Sequence, residues 1–175
     1  MRMIDSMVTK SSTKTMSNQT ISIYDIEMKT LEGNTLKFSE FRGKNILVVN
    51  VASKCGFTGQ YKSLQALSEK YKEDLIVIGT PCNQFGKQEP GNATAIRSFC
   101  NIRYGVSFPL TEKIEVKGPG QHLLYQWLTK KTLNGRKNAT VRWNFQKYLV
   151  DKEGNLVDVF YSTTSPLSHK ITQHL

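Results

Sequence analysis

Two apolar runs with an amphipathic stretch between them constrain the fold of this chain more than any other feature. Residues 46–51 and 75–79 are almost unbroken runs of Ile, Leu and Val, which is typical of strands that are buried on both faces. Between residues 60 and 72, apolar side chains recur at helical spacing among charged ones, namely Leu64, Leu67 and Tyr71. The strand–helix–strand order predicts a parallel pair of strands joined by a helical crossover, and therefore an α/β protein.

The rest of the chain adds one hairpin before this unit, one hairpin after it, and further helices. Residues 21–38 predict an N-terminal β-hairpin around a turn at residues 31–34, and residues 141–161 predict a second hairpin. Three more helices are expected: one that Asn92 caps and Gly105 ends, one over residues 121–132, and a short one after Pro166. This order of elements is that of a thioredoxin-like fold, with a central mixed sheet, flanking helices and an N-terminal β-hairpin.

The length of 175 residues fits one compact domain, which we place at residues 21–175. A hydrophobic content of 38% is too high for a disordered chain, and no apolar run approaches the roughly 20 residues that cross a bilayer. Residues 1–20 are basic and rich in Ser and Thr, and they lack the apolar core of a signal peptide. We expect a flexible N-terminal extension, either the remnant of an organelle-targeting sequence or residues added for expression.

The formal net charge of +10 raises the question of nucleic-acid binding, because clustered Lys and Arg release counterions from phosphate. The basic residues are scattered in pairs such as Lys70 and Lys72, and no aromatic RNA-binding motif is present. The pattern therefore favours a solvated basic surface that attracts anionic partners, and no nucleic-acid ligand is expected.

The chain contains three cysteines, Cys55, Cys82 and Cys100, and no two of them form a CxxC pair. An odd and sparse set is unlike a secreted disulfide scaffold and indicates a reducing, intracellular compartment. The cytoplasm is favoured, and the N-terminal residues leave a mitochondrion or a plastid-type organelle open. The spacing lacks the close ligand pair of a structural zinc site, so no metal and no cofactor are expected.

Cys55 lies between the first buried run and the amphipathic helix, which places its sulfur at the C-terminal edge of the predicted sheet. The positive end of that helix and the adjacent Lys54 both favour the thiolate, which is the reactive form of cysteine. On residue type alone, buried packing is the commoner role of a single cysteine. The flanking Gly56 and the polar loop favour an accessible sulfur instead.

Three segments closely resemble the signature segments of the glutathione peroxidase family: residues 50–58 (NVASKCGFT), residues 81–91 (PCNQFGKQEPG) and residues 143–145 (WNF). The resemblance extends from about residue 21 to the C-terminus. It implies a peroxidase that reduces hydroperoxides, with a peroxidatic cysteine in the first segment, a Gln in the second and a Trp-Asn pair in the third. The implied catalytic residues are Cys55, Gln88, Trp143 and Asn144.

The chemistry of these residue types agrees with that role. The side-chain N–H groups of Gln, Trp and Asn are neutral donors, which stabilise a thiolate and the charge that develops on the departing oxygen. Without the resemblance, Gln88 would be assigned to a loop surface, Trp143 to the core and Asn144 to a turn. No general-base histidine is required, and His122, His169 and His174 all lie outside the three segments.

The resemblance also implies how the oxidised Cys55 is recycled. Attack on a hydroperoxide leaves a sulfenic acid, which must condense with a thiol before it over-oxidises. Relatives that are reduced by thioredoxin carry a resolving cysteine on the helix after the second segment, where Cys100 stands, whereas Cys82 has the character of a small buried hydrophobe. We therefore expect a Cys55–Cys100 disulfide reduced by thioredoxin. A one-cysteine enzyme that uses glutathione, and a redox sensor that passes the oxidation to a partner protein, remain alternatives.

Two departures from the family pattern bear on packing and on access to the site. Thr80 stands where the family commonly has Phe, which alters the packing near Gln88 and removes no catalytic group. The segment from residue 132 to residue 142 is short, whereas tetrameric relatives have an additional loop in this part of the chain. In this respect the chain resembles the monomeric, phospholipid-hydroperoxide type. Such an open face would admit bulky or membrane-borne hydroperoxides and a transient contact with a membrane surface, and a monomer is expected.

Overall fold

The structure is a computed structural model that describes residues 20–175, so nearly all of the expected N-terminal extension lies outside the described residues. A four-stranded mixed sheet has the order β4-β3-β5-β6. Its strands are β3 (Asn45–Val51), β4 (Leu75–Pro81), β5 (Lys147–Val150) and β6 (Leu156–Phe160). A separate antiparallel pair consists of β1 (Glu27–Lys29) and β2 (Thr35–Lys37).

The centre of the sheet is the predicted strand–helix–strand unit. Strands β3 and β4 are parallel, and α1 (Gln60–Lys70) connects them. All seven residues of β3 are buried, as expected for a central strand covered on both faces. Strand β5 pairs antiparallel with β3, with Val49 opposite Lys147, so the residues that precede β5 lie at the same edge of the sheet as the C-terminal end of β3.

The remaining helices are α2 (Ala93–Tyr104), α3 (Leu123–Thr129), α4 (Lys131–Asn134) and α5 (His169–Thr172). The predicted ends of α2 are confirmed: the Asn92 side chain accepts a hydrogen bond from the Ala95 amide at 2.9 Å, and Gly105 ends the helix in the left-handed region with φ 59°. No helix among residues 20–175 has the length and apolar content that a membrane span requires.

Three expected elements differ from the structure. The second hairpin, expected from residue 141, starts only at Lys147, because residues 143–145 form a turn in which Phe145 has a positive φ of 62°. The first hairpin starts only at Glu27, because Ile23–Asp25 forms a 3-10 turn in which the Ser22 hydroxyl accepts a hydrogen bond from the Tyr24 amide. The helix expected over residues 121–132 is divided into α3 and α4, because Lys130 adopts an extended conformation between them.

Two hydrophobic cores lie on opposite faces of the sheet. We name them by their cysteine: the Cys82 core includes Ile46, Val48 and Ile78, and the Cys100 core includes Leu47, Val49 and Val77. Successive residues of β3 alternate between the two cores, as the period of a strand requires.

Candidate active site

Cys55 lies in a tight loop between β3 and α1, and its side chain is partly buried. Thr58 fixes this loop, because its hydroxyl accepts a hydrogen bond from the Cys55 amide at 2.9 Å and donates one to the Ala52 carbonyl at 2.8 Å. The Phe57 amide points at the Cys55 sulfur, with an N···Sγ distance of 3.4 Å. A backbone N–H in this position stabilises a thiolate and transfers no proton to it.

Gln88 lies in the loop after β4, at the same edge of the sheet as Cys55. The Lys54 amide donates a hydrogen bond to the Gln88 carbonyl at 3.0 Å, which joins this loop directly to the cysteine loop. Lys87 has a positive φ of 53°, a conformation that residues other than glycine rarely adopt. Such backbone strain is characteristic of functional loops, where the surrounding contacts maintain it.

Asn144 is fully buried and contacts Gln88 directly. Its side-chain amide donates to the Oε1 atom of Gln88 at 3.0 Å and to the Phe85 carbonyl at 3.4 Å. Because the Gln88 side-chain oxygen is engaged, the NH₂ group of Gln88 remains a donor for another acceptor. Phe145, next in the chain, has a positive φ of 62°, so strained backbone adjoins both members of this pair.

Trp143 is the most exposed of the four candidate residues, with 37% of its surface accessible to solvent. Its ring packs against Phe85 with 5.7 Å between the centroids. Asn50, near the end of β3, fixes the segment that carries Trp143 and Asn144. The Asn50 side chain donates to the Trp143 carbonyl at 2.9 Å and accepts from the Gln146 amide at 3.1 Å.

The four residues implied by the resemblance thus lie on three segments that meet at one edge of the sheet. The structure joins Gln88 to Asn144 through their side chains and joins the Cys55 and Gln88 loops through their backbones. Across residues 20–175, no hydrogen bond connects the sulfur of Cys55 to Gln88, Trp143 or Asn144. The arrangement brings a thiol and neutral side-chain donors to one edge of the sheet, and none of the three segments contains a histidine.

Comparison with known proteins agrees with this geometry. Residues 23–129, more than half of the chain, match the family model described as "Glutathione peroxidase". "Glutathione peroxidase-like peroxiredoxin 2" of Saccharomyces cerevisiae is 48% identical over 150 residues, which cover 85% of this chain and 93% of the yeast protein. The chain belongs to the glutathione peroxidase family. It is therefore a peroxidase, an oxidoreductase, as the sequence predicted.

Other members and neighbours of the glutathione peroxidase family extend the comparison. "Hydroperoxy fatty acid reductase gpx1" of Synechocystis is 44% identical over 153 residues, covering 83% of this chain and 89% of that protein. The solved structure of Trgpx in apo form is 36% identical, with a TM-score of 0.69 over 89% of this chain and 96% of that chain. A thioredoxin-family thiol:disulfide interchange protein from Chlorobium tepidum is 12% identical, with a TM-score of 0.61 over 85% and 92% of the two chains. These likenesses confirm the thioredoxin-like fold.

The other two cysteines are both buried, but on different faces of the sheet. Cys100 lies on α2 within the core that Cys55 also packs against, whereas Cys82 lies in the opposite core. Burial raises the pKa of both thiols, so neither is a reactive thiolate in this conformation.

Thr80, which departs from the family pattern, faces the Cys82 core. Its hydroxyl hydrogen-bonds to the Tyr125 hydroxyl at 2.6 Å and donates to the Val49 carbonyl at 3.3 Å. The polar group is therefore satisfied, and the substitution leaves the donors of the site in place.

Two residues that sequence reasoning does not single out, Lys147 and Ser162, support the site from behind. Lys147 is fully buried, and its Nζ donates to the Ser162 carbonyl at 3.3 Å and to the Thr164 carbonyl at 2.6 Å. The Ser162 hydroxyl in turn donates to the Asn144 carbonyl at 2.5 Å. Burial lowers the pKa of Lys147 to about 7. The one available signal was a lysine placed between strand residues that are expected to be buried.

Proposed function

We propose that this member of the glutathione peroxidase family is a thiol peroxidase with two reacting cysteines, reduced by thioredoxin. It reduces hydrogen peroxide and organic or lipid hydroperoxides through a Cys55 sulfenic acid and a Cys55–Cys100 disulfide. The observation that carries the proposal is the placement of the cysteines: Cys55 and Cys100 adjoin the same core, and Cys82 lies across the sheet.

In the first step the Cys55 thiolate attacks one oxygen of the hydroperoxide. The sulfur–oxygen bond forms, the O–O bond breaks, and the alkoxide or hydroxide takes a proton and leaves as alcohol or water, while the sulfur becomes a sulfenic acid. The free NH₂ group of Gln88, with Asn144 behind it, supplies neutral hydrogen-bond donors for the developing charge. The exposed Trp143 indole is the third such donor.

In the second step Cys100 condenses with the sulfenic acid and water leaves. Cys100 is fully buried on α2, and a disulfide requires Cα atoms within about 7 Å of each other. Because Cys100 is held on the buried side of α2, the proposed cycle requires part of α2 to unwind after Cys55 is oxidised, which brings Cys100 to the sheet edge. The resulting exposed disulfide suits attack by the dithiol of thioredoxin.

The open site favours large substrates. Trp143 and Tyr161 are exposed apolar side chains, and the Synechocystis relative is named for hydroperoxy fatty acids. We infer that the enzyme acts as a monomer and accepts bulky hydroperoxides, with transient contact between its basic surface and anionic membranes. Turnover of phosphatidylcholine hydroperoxide tests this, and the inference fails if hydrogen peroxide is reduced and the lipid hydroperoxide is not.

The test of the catalytic cycle is NADPH-coupled peroxide turnover with thioredoxin and thioredoxin reductase, run beside glutathione and glutathione reductase. The proteins compared are the wild type, Cys55→Ser, Cys100→Ser and, as the matched control, Cys82→Ser. We expect thioredoxin-driven turnover to be lost in the first two variants and retained in the control.

Two other outcomes would overturn this cycle. Equal glutathione-driven turnover by wild type and Cys100→Ser would identify a one-cysteine glutathione peroxidase. Rapid disulfide formation with slow turnover by both reductants would instead favour a redox sensor.

A further inference from the structure

Buried polar atoms without a hydrogen-bond partner cluster around the site. Within residues 20–175 they belong to five side chains, namely Ser53, Gln60, Tyr61, Glu89 and Asn144. Each unpaired group of this kind costs about 1–3 kcal/mol, so native proteins retain few of them without a functional reason. Three of the five, those of Ser53, Tyr61 and Glu89, lie on the Cys100 side of the Cys55 loop, where Ser53 is close to Glu89 and the Tyr61 hydroxyl is close to the Cys100 thiol.

These three groups lie between the segment that carries Cys55 and the helix that carries Cys100. Ser53 precedes Cys55 by two residues, and Ser53 and Glu89 line a cavity of about 310 Å³ whose far wall is α2, the helix that carries Cys100. Tyr61 is fully buried, and its ring packs against Phe99 of α2 with 6.4 Å between the centroids. The cavity therefore lies where α2 must rearrange for Cys100 to approach Cys55.

Glu89 is the one carboxyl group in this space, and only 1% of it is exposed. Its backbone is fixed, because its amide donates to the Oδ1 atom of Asn83 at 3.0 Å. No ion pair among residues 20–175 includes it. One oxygen of this buried carboxyl group, Oε2, has no hydrogen-bond partner, and the nearby Ser53 lowers the pKa of the group by less than burial raises it. A buried carboxyl group that is only partly compensated is costly as a purely structural element, which favours a chemical role.

We propose that Glu89 is the proton-transfer residue for disulfide formation between Cys100 and the oxidised Cys55. The inference rests on the proposed two-cysteine cycle. As α2 opens, the Glu89 carboxylate takes the thiol proton of Cys100, and the Cys100 sulfur forms a bond with the Cys55 sulfur. The sulfur–oxygen bond of the sulfenic acid breaks, and the departing hydroxide takes the proton from Glu89 and leaves as water. Glu89 is thereby restored, and no external oxidant or reductant is consumed.

The chemistry of the two thiols explains why such a group is needed. Burial raises the pKa of the Cys100 thiol, the adjacent Tyr61 hydroxyl lowers it, and the charge of Glu89 raises it further. The thiol is therefore a poor nucleophile until a base removes its proton. None of the three histidines lines the cavity. Burial also raises the pKa of Glu89 itself, which brings it closer to neutral pH, where an acid–base group works best.

Several charged or titratable groups face Glu89 from the surrounding elements. They are Lys54 in the cysteine loop, Tyr61 on α1, Cys100 on α2 and Lys113 after β4, while Arg97 of α2 acts on Tyr61 and Cys100. Because the base acts as a carboxylate, the rate of disulfide formation rises with pH through the titration of Glu89 and then levels off. Without Glu89 the rate of disulfide formation depends only on the fraction of Cys100 that is ionised to the thiolate, and it keeps rising with pH.

The experiment follows both steps in the reduced full-length protein after one equivalent of hydrogen peroxide. Sulfenic acid is trapped with dimedone and the Cys55–Cys100 disulfide is quantified by mass spectrometry at a series of pH values. The variants are Glu89→Gln, which keeps the shape without the charge, Glu89→Asp, which keeps the carboxyl group, and the exposed Glu112→Gln as control.

We expect disulfide formation in Glu89→Gln to slow at least about tenfold relative to sulfenic acid formation, with a pH profile that no longer levels off. Glu89→Asp should restore the plateau at a reduced rate, and Glu112→Gln should behave as wild type. An unchanged rate and pH profile of disulfide formation in Glu89→Gln would overturn the inference. Loss of the plateau in Glu89→Asp would also overturn it. The Glu89→Asp result is the deciding one if Glu89→Gln does not fold. Absence of the disulfide from wild type would instead overturn the proposed cycle together with this step.

Discussion

The buried lysine behind the site gives a prediction whose magnitude follows from its environment. Lys147 donates to two backbone carbonyls, and no ion pair among residues 20–175 includes it. Burial without a counter-charge lowers its pKa to about 7. In the unfolded chain a lysine titrates near a pKa of about 10.4. Between these two values the unfolded chain binds one proton more than the folded protein.

The sign of the effect follows from that difference in bound protons. The free energy of unfolding rises with pH wherever the unfolded state binds more protons. The buried Lys147 destabilises the folded protein most at pH values below the pKa that it has in the folded state. This destabilisation decreases as the pH rises toward the pKa of the lysine in the unfolded chain. With the two pKa values above, wild type should gain about 2 kcal/mol between about pH 7 and about pH 9. Lys147→Met removes this gain.

The measurement is urea unfolding of both proteins under reducing conditions at several pH values in that range, with the exposed Lys62→Met as control. Staying at or below about pH 9 avoids the ionisation of tyrosines in the unfolded chain. The difference in the free energy of unfolding between wild type and Lys147→Met should change by about 2 kcal/mol over this pH range, and the corresponding difference for Lys62→Met should stay constant. A constant difference for Lys147→Met would show that the buried amine titrates as it does in water, and the reasoning would be refuted.

Three further perturbations test the site and the helix. Asn144→Ala removes the side chain that orients Gln88, so we expect the rate of Cys55 oxidation, followed by stopped-flow fluorescence, to fall about 10²-fold; an unchanged rate would exclude Asn144 from the donor set. Thr58→Val leaves the Cys55 amide and the Ala52 carbonyl without their partner and should cost about 1–3 kcal/mol in urea unfolding; a loss below about 0.5 kcal/mol, the range of ordinary surface substitutions, would contradict this. Amide hydrogens of α2 should exchange slowly in the reduced protein and rapidly in the disulfide form, and equal protection in both would show that α2 does not unwind.

The central sheet was predictable because its patterns are long and unambiguous. The apolar runs at residues 46–51 and 75–79 correspond to β3 and β4, which differ from them by one or two residues at the ends. The N-terminal hairpin was placed too early, because Ile21 and Ile23 alternate as a strand would. The Ser22 hydroxyl instead closes a tight turn on the Tyr24 amide. A local hydrogen bond of this kind overrides a short alternating pattern, and periodicity does not reveal it.

Part of the candidate site could likewise be predicted from the sequence, and part could not. The positions of Cys55, Gln88 and Asn144 at one sheet edge follow from strand order. Cys55 and Gln88 come after the parallel strands β3 and β4, and Asn144 comes before β5, which runs antiparallel to β3. The support from Lys147 and Ser162 cannot be predicted in this way, because the groups that accept the hydrogen bonds of Lys147 are backbone carbonyls that a distant loop brings to the strand. Backbone groups look alike in every sequence, so no residue type marks them beforehand.

The choice between the two candidate resolving cysteines rested on family resemblance, yet strand geometry supplies an independent argument. In β3 and β4 the odd-numbered Val49 and Val77 face the Cys100 core and the even-numbered Val48 and Ile78 face the Cys82 core. The same alternation turns Cys82, just past the end of β4, away from the face that Cys55 adjoins. Cys100 follows Ile96 by one helical turn, and both lie on the buried side of α2 against that face. In the proposed cycle Cys100 reaches Cys55 from the core that both adjoin, whereas Cys82 lies in the opposite core, and this placement favours Cys100 over Cys82 as the resolving cysteine.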